Sequence, residues 1–320
     1  MTIRRFAIAA AIATALTAPA AIAAEKPLVA VTAIVEHPSL NAIRDGVKAG
    51  LADAGYKDGD AITFEYESAQ GNPATATQIA QKFAGQQPAV IVPITTPSSQ
   101  AVASATQDIP VVFAAVTDPV GARLVKSLDH PGANITGVSD FPPLAQQLDL
   151  IKELFPNAKT IGVLYNPAEA NSVSTIAAME EMAGEWKVNI ISAAAPKSSD
   201  VQAAAQSLVG KADVFYVPND NTVVSALESA VDVAIANRIP FISSDPDSVT
   251  RGALATVSFD QFEIGRAAGK MAARVLKGEK PGDIAVQNGS TASTVVNAKT
   301  AAAIGVTLPQ AVLDRAKVIR

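Results

Sequence analysis

The chain has 320 residues, no cysteine, two histidines and a formal net charge of −5. Disulfides are excluded, a zinc site built from the usual nitrogen and sulfur ligands is not expected, and the acidic balance argues against a nucleic-acid partner, which needs a basic footprint. Hydrophobic residues make up 49% of the chain and charged residues only 17%, so a sizeable core is available for burial.

The first segment, MTIRR, carries Arg4 and Arg5, and residues 6–23 form an uncharged apolar run that ends Ala21-Ile22-Ala23. A charged start, a short apolar stretch and a small-x-small site predict a signal peptide cleaved after Ala23. Pro19 and the run of small alanines argue against a membrane span, which wants about 20 strongly apolar residues. With no thiol to carry a lipid anchor, the mature protein is expected to be a soluble periplasmic protein and not a lipoprotein. The remaining ~300 residues are comfortable for two domains.

Strand candidates follow at 28–35, 61–66, 89–95 and 110–116, then at 160–165, 188–192, 214–217, 239–243 and 254–259. Helical spacing occupies 39–54, 74–83, 144–154, 171–186, 201–209, 223–236 and 261–276. Short, continuously apolar runs alternating with helices predict an α/β fold with parallel sheets covered on both faces. The order strand, polar loop with proline, long helix, strand, helix, strand occurs twice, starting near Val29 and again near Thr160. Two similar lobes are therefore expected. Gly137 and the Pro142-Pro143 pair interrupt the pattern and mark a boundary, and further crossings are placed near 259–261 and 287–291. The lobes read as 24–139 plus 261–288 and 140–260 plus 289–320, with 1–23 removed.

Strand after strand ends in polar residues. Glu36, His37 and Ser39 follow the first, and Thr95, Thr96, Ser98 and Ser99 the third. Thr117 and Asp118 follow the fourth, and Ser139 and Asp140 lie at the boundary. The second half contributes Asn171 and Ser172, Asn219, Asp220 and Asn221, and Ser243, Ser244 and Asp245. Each of these alone is accounted for as a helix cap or turn former. Their recurrence at one edge in both halves points to a ligand cleft, because open α/β sheets bind at the carboxyl ends of their strands. Helix amino termini there suit an anion such as a carboxylate, and a nearby acid suits an ammonium, so a zwitterion would satisfy both. His37 beside Glu36 reads as a part-exposed loop histidine in preference to a base. No G-x-S-x-G elbow is present. GRAAGK at 265–270 is one residue short of a phosphate loop, with Met271 in the hydroxyl position. Gly265 and Gly269, four apart on a helix, suggest close helix packing. Neither an enzyme nor a bound cofactor is expected.

Taken in order, VEHPSLNAIRDGVKAGL, NPATATQIAQKF, AAVTDPVGARLV, GANITGVSD, GVLYNPAEANS and VNAKTAAAIGVTLP resemble the ABC-transporter substrate-binding protein family of the tryptophan or aromatic amino acid type. The resemblance runs through essentially the whole mature chain. It implies a type I periplasmic binding fold of two Rossmann-like lobes with a three-crossing hinge, a monomeric receptor, and delivery of a small solute to an inner-membrane permease. It implies ligand contacts at Thr95, Thr96, Ser98, Thr117 and Asp118, at Ser139 in the hinge, and at Asn171, Ser172, Asn219, Asp220 and Asp245. Thr96 and Ser98 would take a carboxylate, and Asp220 or Asp245 an ammonium. Tyr165, Phe141 and Phe259 are the expected aromatic walls for an aromatic or other hydrophobic amino acid. A sugar, purine or peptide ligand, or a sensory partnership with a membrane receptor, is the alternative.

Overall fold

The structure is a computed structural model that describes residues 25–320; the predicted signal peptide lies outside the described residues. The first lobe begins β1 (Leu28–Ala33), α1 (Pro38–Asp53), β2 (Thr63–Ser68), α2 (Pro73–Gln86), β3 (Val90–Ile94), α3 (Thr96–Ala105), β4 (Val111–Ala114) and β5 (Ile135–Ser139). The chain then passes to α4 (Leu144–Leu154), β6 (Thr160–Tyr165), α5 (Ala170–Trp186), β7 (Asn189–Ala194), α6 (Val201–Leu208) and β8 (Val214–Val217). It continues through α7 (Asn221–Ser225), α8 (Leu227–Ala236), β9 (Phe241–Ser243), α9 (Pro246–Thr250) and β10 (Ala255–Phe259). Last come α10 (Gln261–Leu276), β11 (Gln287–Asn288), β12 (Ala292–Asn297), α11 (Ala298–Ile304), α12 (Gln310–Leu313) and β13 (Lys317–Ile319).

Two sheets result. One has the order β11-β5-β4-β3-β1-β2, the other β13-β12-β10-β9-β8-β6-β7. Every pairing is parallel except β10 with β12. The chain crosses between the sheets after β5, after β10 and after β11, which is the three-crossing type I arrangement. In each lobe the central strands are buried end to end: β3 (VIVPI) and β8 (VFYV) expose nothing. Strands covered by helices on both faces meet apolar side chains above and below, so they read as unbroken β-branched and aromatic runs.

One packing feature positions the first lobe's loops. Helices α1 and α10 cross so closely that a methyl group at Gly265 would lie 1.9 Å from the Ile43 carbonyl oxygen, and one at Gly46 2.1 Å from that of Phe262. Gly50 and Gly269 continue the same contact. These four glycines let two backbones touch, and the amino end of α1, with the loop before it, is thereby held against the hinge-crossing helix.

Some elements escaped the sequence reading. Helix α3 (TPSSQAVASA) has few apolar residues and several hydroxyls that compete for its own backbone; it is held by burial of Thr96, Ser98, Ser99 and Val102. The stretch 223–236, read as one helix, is two: α7 starts earlier, because the Asp220 side chain caps it through the Val223 N–H, and the backbone breaks at Ala226 (φ −124°, ψ 31°).

Candidate functional site

The polar strand ends of both lobes meet in a cavity between the lobes. Its first-lobe wall is the loop after β1 with the start of α1 (His37, Ser39, Leu40, Ile43), the turn into α3 (Thr95, Thr96), and Ala115 and Thr117 after β4. The second-lobe wall is Asn171 on α5, Asn219 and Asp220 after β8, Asn221 and Val224 on α7, and Asp245 after β9. Asp140 and Gln261 contribute from two of the crossings.

The first-lobe wall has strained backbone and several unpartnered groups. Thr95 has φ 75° and ψ 165°, a region that a β-branched residue adopts only when its surroundings force it. Ala115 has φ 56°. The hydroxyls of Thr95 and Thr96 are buried with no hydrogen-bond partner, as is the Nδ1 of His37. Thr96 is the first residue of α3, where backbone N–H groups of the first turn are also free.

In the second-lobe wall the acids are fully engaged, although the Asn171 Oδ1 has no partner. The Asp220 carboxylate accepts from the Asn166 N–H at 2.6 Å, the Ser172 hydroxyl at 2.6 Å and the Val223 N–H at 2.8 Å. Beside it, Glu169 accepts from the backbone N–H groups of Asn221 and Thr222, each at 3.0 Å, from the Thr222 hydroxyl, and from the side-chain amides of Asn171 and Asn221. Burial, and then the Glu169 charge, push the Asp220 carboxyl above the usual carboxylate range.

Asp140 occupies the first crossing. It accepts from the Thr117 hydroxyl at 2.9 Å and the Asn219 amide at 2.9 Å. Two of roughly four acceptor positions on the carboxylate are thereby used. Burial pushes its carboxyl up to about 6, against the lowering effect of these two bonds. Further bonds hold the lobes together: the Ser39 hydroxyl donates to Asp245 at 2.7 Å, and the Ser174 hydroxyl to Asp118 at 3.0 Å.

Thr95, Thr96, Thr117, Asn171, Asn219, Asp220 and Asp245 thus line the cavity, whereas Ser98, Asp118, Ser139 and Ser172 do not. Ser172 is spent on Asp220. Ser139 donates to the Thr117 carbonyl at 3.0 Å. Asp118 folds its own loop through the Gly121 N–H and meets Ser174 across the cleft. Ser98 is buried, and its hydroxyl is unpartnered. The expected aromatic walls are corrected: among the described residues no Phe, Tyr or Trp lines the cavity. Tyr165 packs on the second-lobe core and Phe259 on the first, while Phe141 is 37% exposed. The apolar surface comes instead from Leu40, Ile43, Ala115 and Val224. The apolar stripe of α1 did signal Leu40 and Ile43, but a stripe cannot tell core from cavity. Asp140 was legible only as one more strand-end acid.

The family described as ABC transporter substrate binding protein matches residues 28–319. A "Tyrosine-binding protein" of Clostridioides difficile is 42% identical over 276 residues, covering 86% of this chain and 80% of that one. A solved structure from Streptococcus pneumonia, an ABC domain in complex with L-Trp, is 38% identical with a TM-score of 0.89, covering 92% of this chain and 100% of that chain. A ligand-free, open substrate binding protein with adhesive properties from Clostridium difficile is 37% identical with a TM-score of 0.71, covering 92% of this chain and 99% of that one.

Proposed function

The chain belongs to the ABC transporter substrate-binding protein family, and we propose that it is a periplasmic receptor for an aromatic amino acid, which it carries to an inner-membrane permease. The observation that carries the ligand class is the pairing, in one cavity, of unpartnered hydroxyls with a carboxylate that has acceptor positions to spare. The Thr95 and Thr96 hydroxyls have no partner, and they stand at the amino end of α3, where a carboxylate is favoured. Asp140, buried with acceptor positions to spare, suits an α-ammonium through charge-assisted hydrogen bonds. A zwitterion supplies both charges.

Asp140 is preferred over Asp220 and Asp245 for the ammonium because those two are committed. Asp220 makes three bonds to its own lobe, and Asp245 caps α9 while holding Ser39 and Ser248. The ligand side chain lies against Leu40, Ile43 and Val224. The ligands in the names of the two relatives, tyrosine and L-tryptophan, support the aromatic class. At nearly equal identity, the stronger likeness to the L-tryptophan complex than to the ligand-free, open protein supports a closed, ligand-ready arrangement.

Thermal unfolding of the mature protein against amino acids, sugars, purines and short peptides tests this reading. Tyrosine or tryptophan at 100 times Kd is expected to stabilise by about 2.7 kcal/mol. Stabilisation by a sugar, purine or peptide and by no amino acid sinks it.

A further inference from the structure

The cavity is lined by a histidine that neither the zwitterion nor the apolar contact uses. His37 stands at the N-cap position of α1 yet makes no capping bond. It lines the cavity, and its Nδ1 is sealed from solvent without a partner. Nothing in the fold explains an idle ring nitrogen there, since a buried polar atom left unbonded is costly.

Its position along the cavity says which part of a ligand it meets. His37 is the residue immediately before α1, and Leu40 and Ile43 lie three residues apart in the first turns of that helix, so all three belong to the same cavity wall. Val224 approaches from the other lobe. The Thr117–Asp140–Asn219 chain of bonds is built on different strands, β4, β5 and β8. His37 therefore shares its wall with Leu40 and Ile43 and is carried by a different strand end from Asp140.

Its charge state says what it offers. Burial pushes the imidazole down to about 4; the Asp245 carboxylate opposes this and the Arg251 guanidinium adds to it. At neutral pH the ring is uncharged, with one nitrogen a donor and the other an acceptor. Arg251 is held by Glu228 at 2.7 Å and by the Val224 carbonyl at 2.8 Å.

We propose that His37 is a specificity residue whose Nδ1, in the Nε2–H tautomer, accepts a hydrogen bond from a donor on the far edge of the ligand's aromatic ring, a phenol O–H or an indole N–H. The inference rests on the aromatic amino acid reading and sharpens it. A ligand with a bare phenyl ring leaves Nδ1 buried and unpaired, and a site built to bond a donor rejects the analogue that lacks it.

Calorimetric titration of the mature protein with L-tyrosine, L-tryptophan and L-phenylalanine tests it, using the wild type, His37→Leu and His37→Asn. The wild type is expected to prefer a donor-bearing ligand over phenylalanine by about 10- to 100-fold. In His37→Leu that preference collapses. In His37→Asn, whose amide oxygen can take the place of Nδ1, it returns in part. A second readout needs no variant: the ¹⁵N resonance of Nδ1 should move on adding tyrosine or tryptophan and stay in place with phenylalanine. Equal affinity for all three ligands, or a preference that survives His37→Leu, overturns the role of His37 while the amino acid reading stands. Failure to bind any of the three overturns both.

Discussion

The two walls of the cavity are built on opposite plans. The acids of the second-lobe wall are satisfied within the protein: Glu169 and Asp220 are buried, and their oxygens are taken up by donors from the loop after β6, from α5 and from α7, while the Asn171 Oδ1 is the one side-chain atom there that is buried without a partner among the described residues. The first-lobe wall is left incomplete. The Thr95 and Thr96 hydroxyls are unpaired, and two backbone positions there, Thr95 and Ala115, have positive φ without being glycine. Satisfied groups hold geometry, and unsatisfied, strained groups are what a ligand can complete. The difference teaches where to look for affinity and where to look for stability.

That contrast breaks most visibly at Asp220. Replacing it with alanine strands the Asn166 and Val223 N–H groups and the Ser172 hydroxyl, so Asp220→Ala is expected to cost about 3 kcal/mol of folding stability. Urea unfolding of the ligand-free protein measures it. If stability holds and only affinity falls, the second-lobe wall is a ligand surface and not a frame.

Thr96→Ala should do the reverse. The hydroxyl makes no bond in the ligand-free protein, so unfolding should change by less than about 1 kcal/mol, while affinity for the amino acid falls about tenfold. Calorimetry and urea unfolding on the same sample separate the two effects. A stability loss as large as that of Asp220→Ala would erase the contrast between the walls.

A gentler test uses pH on the crossing between them. The folded-state Asp140 carboxyl is raised to about 6, above the value near 3.9 of an unfolded aspartate. Between these values the folded protein holds the extra proton, so ligand-free stability declines as pH rises from about 4 through 6. Asp220 is shifted in the same direction, so Asp140→Asn should flatten this slope without abolishing it. An ammonium bound on Asp140 needs the anion, so affinity should fall as pH drops below about 6, by no more than tenfold per unit. Affinity that is flat from pH 7 to 5 in the wild type would remove Asp140 from the ammonium site.

The comparison also separates what could be read along the chain from what could not. Strand ends such as Thr95-Thr96 and Asn219-Asp220 were legible because buried β-branched runs stop abruptly at polar residues, and the α/β alternation makes those ends converge on one edge. The aromatic walls were misplaced for the complementary reason. Tyr165 and Phe259 sit at strand ends too, but whether such a side chain faces the cleft or the core depends on lobe packing, which has no local signature. His37 looked like an ordinary loop histidine. Its Nδ1 is sealed and unpartnered only in the folded protein, where Asp245 and Arg251 of the other lobe stand close enough to act on the ring.

The sequence by itself determined the α/β class, the twofold repeat and the edge at which polar residues gather, because these follow from periodicity and from where apolar runs end. Only the tertiary structure decided which acids are used up in holding a loop and which keep acceptor positions open. Hydrogen-bond satisfaction is a property of partners brought together from distant strands, such as Asp140 with Asn219 or Ser39 with Asp245, and no stretch of chain carries both halves of such a pair.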